Sequence, residues 1–241
     1  MSCTATRCGG TGMGDGERGP EDRGKCRRRA VGALGHRDPN FLASKRARLG
    51  EGHVAPLQAL AHEIRQTTGG EVPAFDPDSG GVFARALFLF EAPGARSTAA
   101  GGPRAAAKGS GIISEDNEDP SAEHMWLINR AAGLRREFYV PWNVVPWYIG
   151  TTTQIRAANL DDLSLARPWL ARLIALLPEL RVVATFGATP LRGWMDYLRS
   201  ADGQLVPTLA GPHPSARVMN THAEARAQIE AVTRRVAAIV A

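Results

Sequence analysis

Apolar positions fall into two spacings along this chain. Short apolar runs stand at residues 86–90 (ALFLF), 138–145 (FYVPWNVV), 182–186 (VVATF) and 205–209 (LVPTL). Runs of this kind read as strands buried on both faces of a sheet. Between and after them, apolar residues recur every three or four positions over 120–134, 161–177, 189–200 and 222–240, which predicts amphipathic helices. Asp119 and Pro120 read as the N-cap and first turn of the first helix, with Gly133 at its end. Pro168 predicts a bend in the second. In the last, Ile229, Val232, Val236 and Ile239 share one face. Upstream, residues 39–70 read as lead-in helices, with Leu57, Leu60, Ala61 and Ile64 on one face. Strand–helix alternation predicts an α/β fold of three layers, α/β/α, with a central, mainly parallel four-stranded sheet. The domain is expected over 84–241, with 37–83 as a helical lead-in packed on it. Residues 1–36 are rich in glycine and arginine, lack apolar periodicity and read as a disordered basic tail.

Composition changes this picture in two ways. The formal charge of +5 suggests a basic protein, but residues 1–50 hold 11 Lys/Arg against 5 Asp/Glu, and residues 51–241 hold 18 against 19. The basic excess lies in the tail, so global charge gives no support for a nucleic-acid partner. The three cysteines, Cys3, Cys8 and Cys26, all precede the domain. That excludes a disulfide framework or a four-cysteine metal or iron–sulfur site within it, and no cofactor or metal is expected. No apolar run approaches the roughly 20 residues of a membrane span, and no apolar signal core opens the chain. A cytoplasmic monomer is the expectation.

The unusual residues follow the strands. The first strand runs into Glu91-Ala92-Pro93-Gly94, the second carries Trp142-Asn143-Val144-Val145-Pro146-Trp147, the third ends in Gly187-Ala188, and the fourth runs into Gly211-Pro212-His213-Pro214-Ser215. In an open parallel sheet these ends share one edge, where ligands bind. That predicts a pocket lined by Glu91, Asn143 and His213. Each residue alone has a structural explanation: a helix cap, a loop amide, a turn histidine. Convergence on one edge favours chemistry.

The ordered set FLFEAPG (88–94), WNVVPW (142–147) and HPS (213–215) resembles the motifs of the uracil-DNA glycosylase superfamily, nearest to members with a Gly-Glu-Ala-Pro-Gly-type first motif. The resemblance implies a DNA glycosylase that releases uracil, or a similar deaminated base, from single- or double-stranded DNA. It implies catalytic roles for Glu91, beside the attacking water, and His213, at the departing base. It implies a base pocket of Asn143, Ala92, Pro93 and Gly94, with Ile112 as its floor. The loop Pro214, Ser215, Ala216, Arg217 would enter the DNA. The residue types suit the reaction, because breaking an N-glycosidic bond builds positive charge on the sugar and negative charge on the base. No lysine lies in these motifs, so hydrolysis without a Schiff base or strand cleavage is expected.

The sequence also departs from that pattern. Ala92 stands where the most active relatives carry aspartate, and Gly94 where others carry an aromatic that excludes thymine. Residues 108–114 offer Ile112 and Ile113 but no ring to stack on a base. The acidic run at 114–119 reads as a helix cap, or as adding Asn117 or Asp116 to the pocket. Two other functions therefore stay open: release of another base such as hypoxanthine, and DNA binding without catalysis.

Overall fold

The computed structural model describes residues 33–98, 109–150 and 156–241. Residues 1–32 lie outside these, so the expected tail falls almost wholly beyond the described part.

Two helices lead in. α1 (Pro39–Ala47) is capped by Asp38, whose side chain accepts from Asn40 N–H. α2 (Ala55–Thr68) has proline in its first turn and ends at Gly69, whose φ of 66° suits a residue without Cβ. Leu57, Leu60, Ala61 and Ile64 are its buried face, as their spacing predicts. Two short strands, β1 (Ala74–Phe75) and β3 (Ile112–Ile113), pair in parallel as a small separate sheet. At two residues each they are too short to carry a hydrophobic period that a sequence reading could detect.

The main sheet has β2 (Ala86–Phe90), β4 (Tyr139–Asn143), β5 (Val182–Phe186) and β6 (Thr208–Gly211), in the order β4-β2-β5-β6, every pairing parallel. Pro141 lies inside β4, which is tolerated because β4 is an edge strand. Alternation divides the core. Leu87, Leu89, Val140, Trp142 and Val183 face α2, α4 (Leu160–Ala175) and α5 (Ala188–Leu198). Ala86, Phe88, Tyr139, Ala184 and Phe186 face α3 (Pro120–Ala131) and α7 (Ala225–Val240). Helices on both faces of a parallel sheet make the three-layer α/β/α fold.

Several boundaries differ from the sequence reading. β6 starts at Thr208, three residues later than the apolar run suggests, because Leu205 is 89% exposed and leads into Pro207. β4 stops at Asn143; Val144 and Val145 continue the backbone bonding, donating to the carbonyls of Phe90 and Glu91. Residues 216–221, expected as loop, form α6 (Ala216–Thr221), capped by the Ser215 hydroxyl. In α7 the face closes on Val240, which is fully buried, and Ile239 is 38% exposed.

Candidate active site

A cavity of about 930 Å³ opens at the carboxyl ends of β2, β4 and β6, on the α3 side of the sheet. Its position follows from topology, since the strands run parallel and their following loops share that edge.

Asn143 is the last residue of β4, in register with Phe90 of β2. It lines the cavity and is 4% exposed. Its Nδ2 is enclosed and has no hydrogen-bond partner among the described residues. An enclosed amide donor without an acceptor is costly unless a ligand or water supplies one.

His213 follows β6 and also lines the cavity. Its ring meets Phe90 edge-on, with centroids 6.3 Å apart at 79°. The backbone N–H of Ser215 donates to Nδ1 at 3.1 Å. Nδ1 must then be the unprotonated nitrogen, and in the neutral ring Nε2 carries the hydrogen. Burial lowers the His213 pKa, and the nearby Glu91 charge only partly opposes this. The ring is therefore a neutral Nε2–H donor near pH 7. Behind it stands Gly187, at φ 112°, whose N–H donates to Gly211 C=O at 2.8 Å. His124 on α3 donates from Nδ1 to Pro214 C=O at 2.7 Å, which ties the histidine loop to α3.

Of the residues singled out in the sequence, Ala92, Pro93, Gly94, Asn143 and His213 line the cavity, as do Ser215, Ala216 and Arg217. Glu91, Ile112 and Pro214 do not. Glu91 turns to the loop before α4, its Oε1 accepting from Ala158 N–H at 2.8 Å. Pro214 is buried beneath the loop. Ile112 is replaced as floor by its neighbour Ile113, because successive strand residues face opposite sides. Asn117 reaches the cavity and Asp116 does not, while Asp119 caps α3 through Ser121 N–H and Ala122 N–H.

An aromatic ring does line the cavity, from β2 and not from residues 108–114. Phe90 lines the cavity, backed by Phe186 at 5.3 Å and 17°. The available signal was its place in β2, two residues after Phe88 and facing the same way. Asn129, Tyr139 and Glu115 are further wall residues that the sequence did not single out. Arg96 and Arg217 are the arginines on the wall. Among the described residues, no group of three or more His, Cys, Asp or Glu is placed to hold a metal, and no helix is long and apolar enough to cross a membrane.

The fold is a parallel α/β sheet with a cavity at the carboxyl edge of its strands, the usual place for a ligand in this architecture. The sequence matches the uracil DNA glycosylase superfamily over residues 77–237, about two thirds of the chain, and the chain belongs to that superfamily. Comparison with curated proteins gave no match.

Proposed function

We propose that the chain hydrolyses the N-glycosidic bond of uracil, or of a similar deaminated base, extruded from DNA. One observation carries this reading most: the unpartnered Asn143 Nδ2 shares a cavity with a histidine whose tautomer is set to donate from Nε2.

The base leaves the stack and enters the cavity. Asn143 donates through Nδ2 to the carbonyl at position 4 and accepts through Oδ1 from the N–H at position 3. Phe90 and Ile113 supply apolar wall. As the bond from C1′ to the base breaks, its electron pair goes to the base, and His213 Nε2–H stabilises the charge gathering at O2. Water adds to C1′ and loses a proton to solvent. Glu91, which stands outside the cavity, acts on the cationic sugar by charge alone, and with Ala92 carrying no acid the water is oriented by backbone groups. Arg217 and Ser215 hold DNA at the cavity mouth. Lys45, the only lysine among the described residues, is locked in buried ion pairs, which supports hydrolysis without strand cleavage.

Asn143→Asp is the direct test. An aspartate repels the uracil carbonyl but accepts from the amino group of cytosine. Uracil release is expected to fall on the order of 10²-fold or more, since mismatched buried polar groups are rejected strongly, with slow cytosine release appearing. Single-turnover assays on matched single-stranded oligonucleotides read both. If uracil release and selectivity stay at wild-type values, Asn143 does not read the base.

A further inference from the structure

The cavity is longer than the part that Asn143 and His213 define. Tyr139, Pro141 and Asn143 lie on one face of β4 and all line it. At about 3.3 Å per residue, the ends of that face stand about 13 Å apart. Met125 and Asn129 of α3 close the other side of the trench. At about 930 Å³ the space lies near the top of the 300–1,000 Å³ range of small-molecule pockets. A bare pyrimidine held at Asn143 leaves the Tyr139 end unfilled.

That end is polar and its orientation is fixed. Asn129 is 3% exposed, and its Nδ2 donates to Glu115 Oε2 at 2.8 Å and to the Tyr139 hydroxyl at 3.0 Å. The Tyr139 hydroxyl donates its own hydrogen to Glu115. Burial, then the Glu115 charge, push the Tyr139 pKa well above its usual value, so the phenol stays protonated. Arg136 Nε pairs with the other Glu115 oxygen at 2.6 Å. Turning the Asn129 amide over would set its oxygen against that carboxylate. Its Oδ1 is therefore held as an acceptor, and it is enclosed without a partner. Two amides on one cavity wall thus each lack a partner, a donor at Asn143 and an acceptor at Asn129.

We infer that the Asn129 end is a second polar subsite of the base pocket, which takes a hydrogen-bond donor carried beyond the reach of a bare pyrimidine ring. Asn129 Oδ1 accepts from an N–H or O–H on the part of the base farthest from its glycosidic bond. Two sources share this chemistry: a bicyclic deaminated base with a ring N–H, and a pyrimidine with a substituent ending in a hydroxyl. The inference rests on the base-releasing reading above and adds a specificity-determining residue to it.

The experiment compares wild type with Asn129→Leu, of similar size and without the acceptor. The substrates are oligonucleotides containing uracil, hypoxanthine or 5-hydroxymethyluracil. The expected result is a fall on the order of tenfold in the single-turnover rate relative to uracil, for hypoxanthine or for the hydroxymethyl base, as one lost hydrogen bond gives. Which ratio falls identifies the source. Equal losses on all three bases, or unchanged ratios, overturn the proposal, and Oδ1 is then met by water. Uracil release by a wild type that leaves both longer bases untouched overturns the subsite and spares the uracil reading. If no base is released, equilibrium binding of free hypoxanthine decides: weaker binding by the variant supports the subsite, and equal binding overturns it. Melting curves, and Asn129→Ala read the same way, guard against a Leu variant that does not fold.

Discussion

Lys45→Ala is expected to destabilise the domain by about 3–5 kcal/mol at neutral pH, the usual cost of removing one partner from a buried ion network. The side chain is 1% exposed, and its ammonium lies 2.7 Å from Asp76, 2.5 Å from Asp116 and 3.2 Å from Asp78. It also donates to the Ser114 hydroxyl at 3.1 Å. Burial alone would raise the Asp76 and Asp116 carboxyls, but Lys45 and Arg136 outweigh it and hold both below the ordinary range. A carboxyl held low in the folded state stabilises that state above the unfolded value of about 4. The contribution is lost as pH falls through the folded value. Without Lys45 both carboxyls titrate higher, so the gap to wild type is widest at neutral pH and narrows below about pH 4. Lys45→Met, which keeps the apolar stem, should show the same pH dependence. Denaturant unfolding at pH 7 and pH 3.5 reads this. A penalty below about 1 kcal/mol, on the scale of an exposed pair, or one equal at both pH values, means the network does not hold the fold.

The same residue links the lead-in segment to the cavity. Arg46 donates to Ser110 C=O at 2.8 Å, and His36 Nδ1 donates to Asn117 Oδ1 at 2.8 Å. Asn117 in turn donates to Ile112 C=O and to the Ser97 hydroxyl. Residues 36–46, which precede the superfamily match, therefore brace the wall that carries Ile113 and Asn117. Cutting the chain after residue 36 removes the His36 bond, so a tail boundary at that position falls inside this brace.

The main strands were legible because parallel strands buried on both faces leave unbroken apolar runs, as in ALFLF and VVATF. Asn143 and His213 were legible because each stands where a strand ends and the chain turns unusual. The ion network was not. Lys45 sits in a run reading Lys-Arg-Ala-Arg, Asp76 beside proline, and Asp116 in an acidic stretch. Each looks like solvated charge, and only the fold brings together residues 31 and 71 positions apart. Asn129 was hidden for a related reason. A single asparagine within an amphipathic helix reads as its polar face, and nothing local shows that this face is covered by Glu115 and Tyr139. The six-residue α6 was missed because it is too short to carry periodicity, and only Ser215 marks its start.

His213→Ala is expected to slow base release by about 10²–10³-fold while leaving the fold intact, the typical cost of removing one preorganised donor from a developing anion. The geometry makes the donor specific. Ser215 N–H occupies Nδ1, so Nε2 is the nitrogen that carries hydrogen toward the base. Acidification should not help. Burial lowers the His213 pKa below its ordinary value despite Glu91, so the ring stays neutral from pH 7 down to that lowered value. A second proton must enter at Nδ1, where it meets the Ser215 N–H and breaks the bond that orients the loop. Base release is therefore expected to hold steady as pH falls from neutral and to decline once pH passes the lowered pKa. His213→Gln, whose amide can donate from a similar position, should recover part of the loss. Single-turnover rates on a uracil oligonucleotide between pH 5 and pH 8, alongside melting curves for both variants, read the outcome. An unchanged rate in His213→Ala would remove the histidine from the chemistry. A wild-type rate that rises as pH falls would show that the imidazolium, not the neutral ring, is the working form.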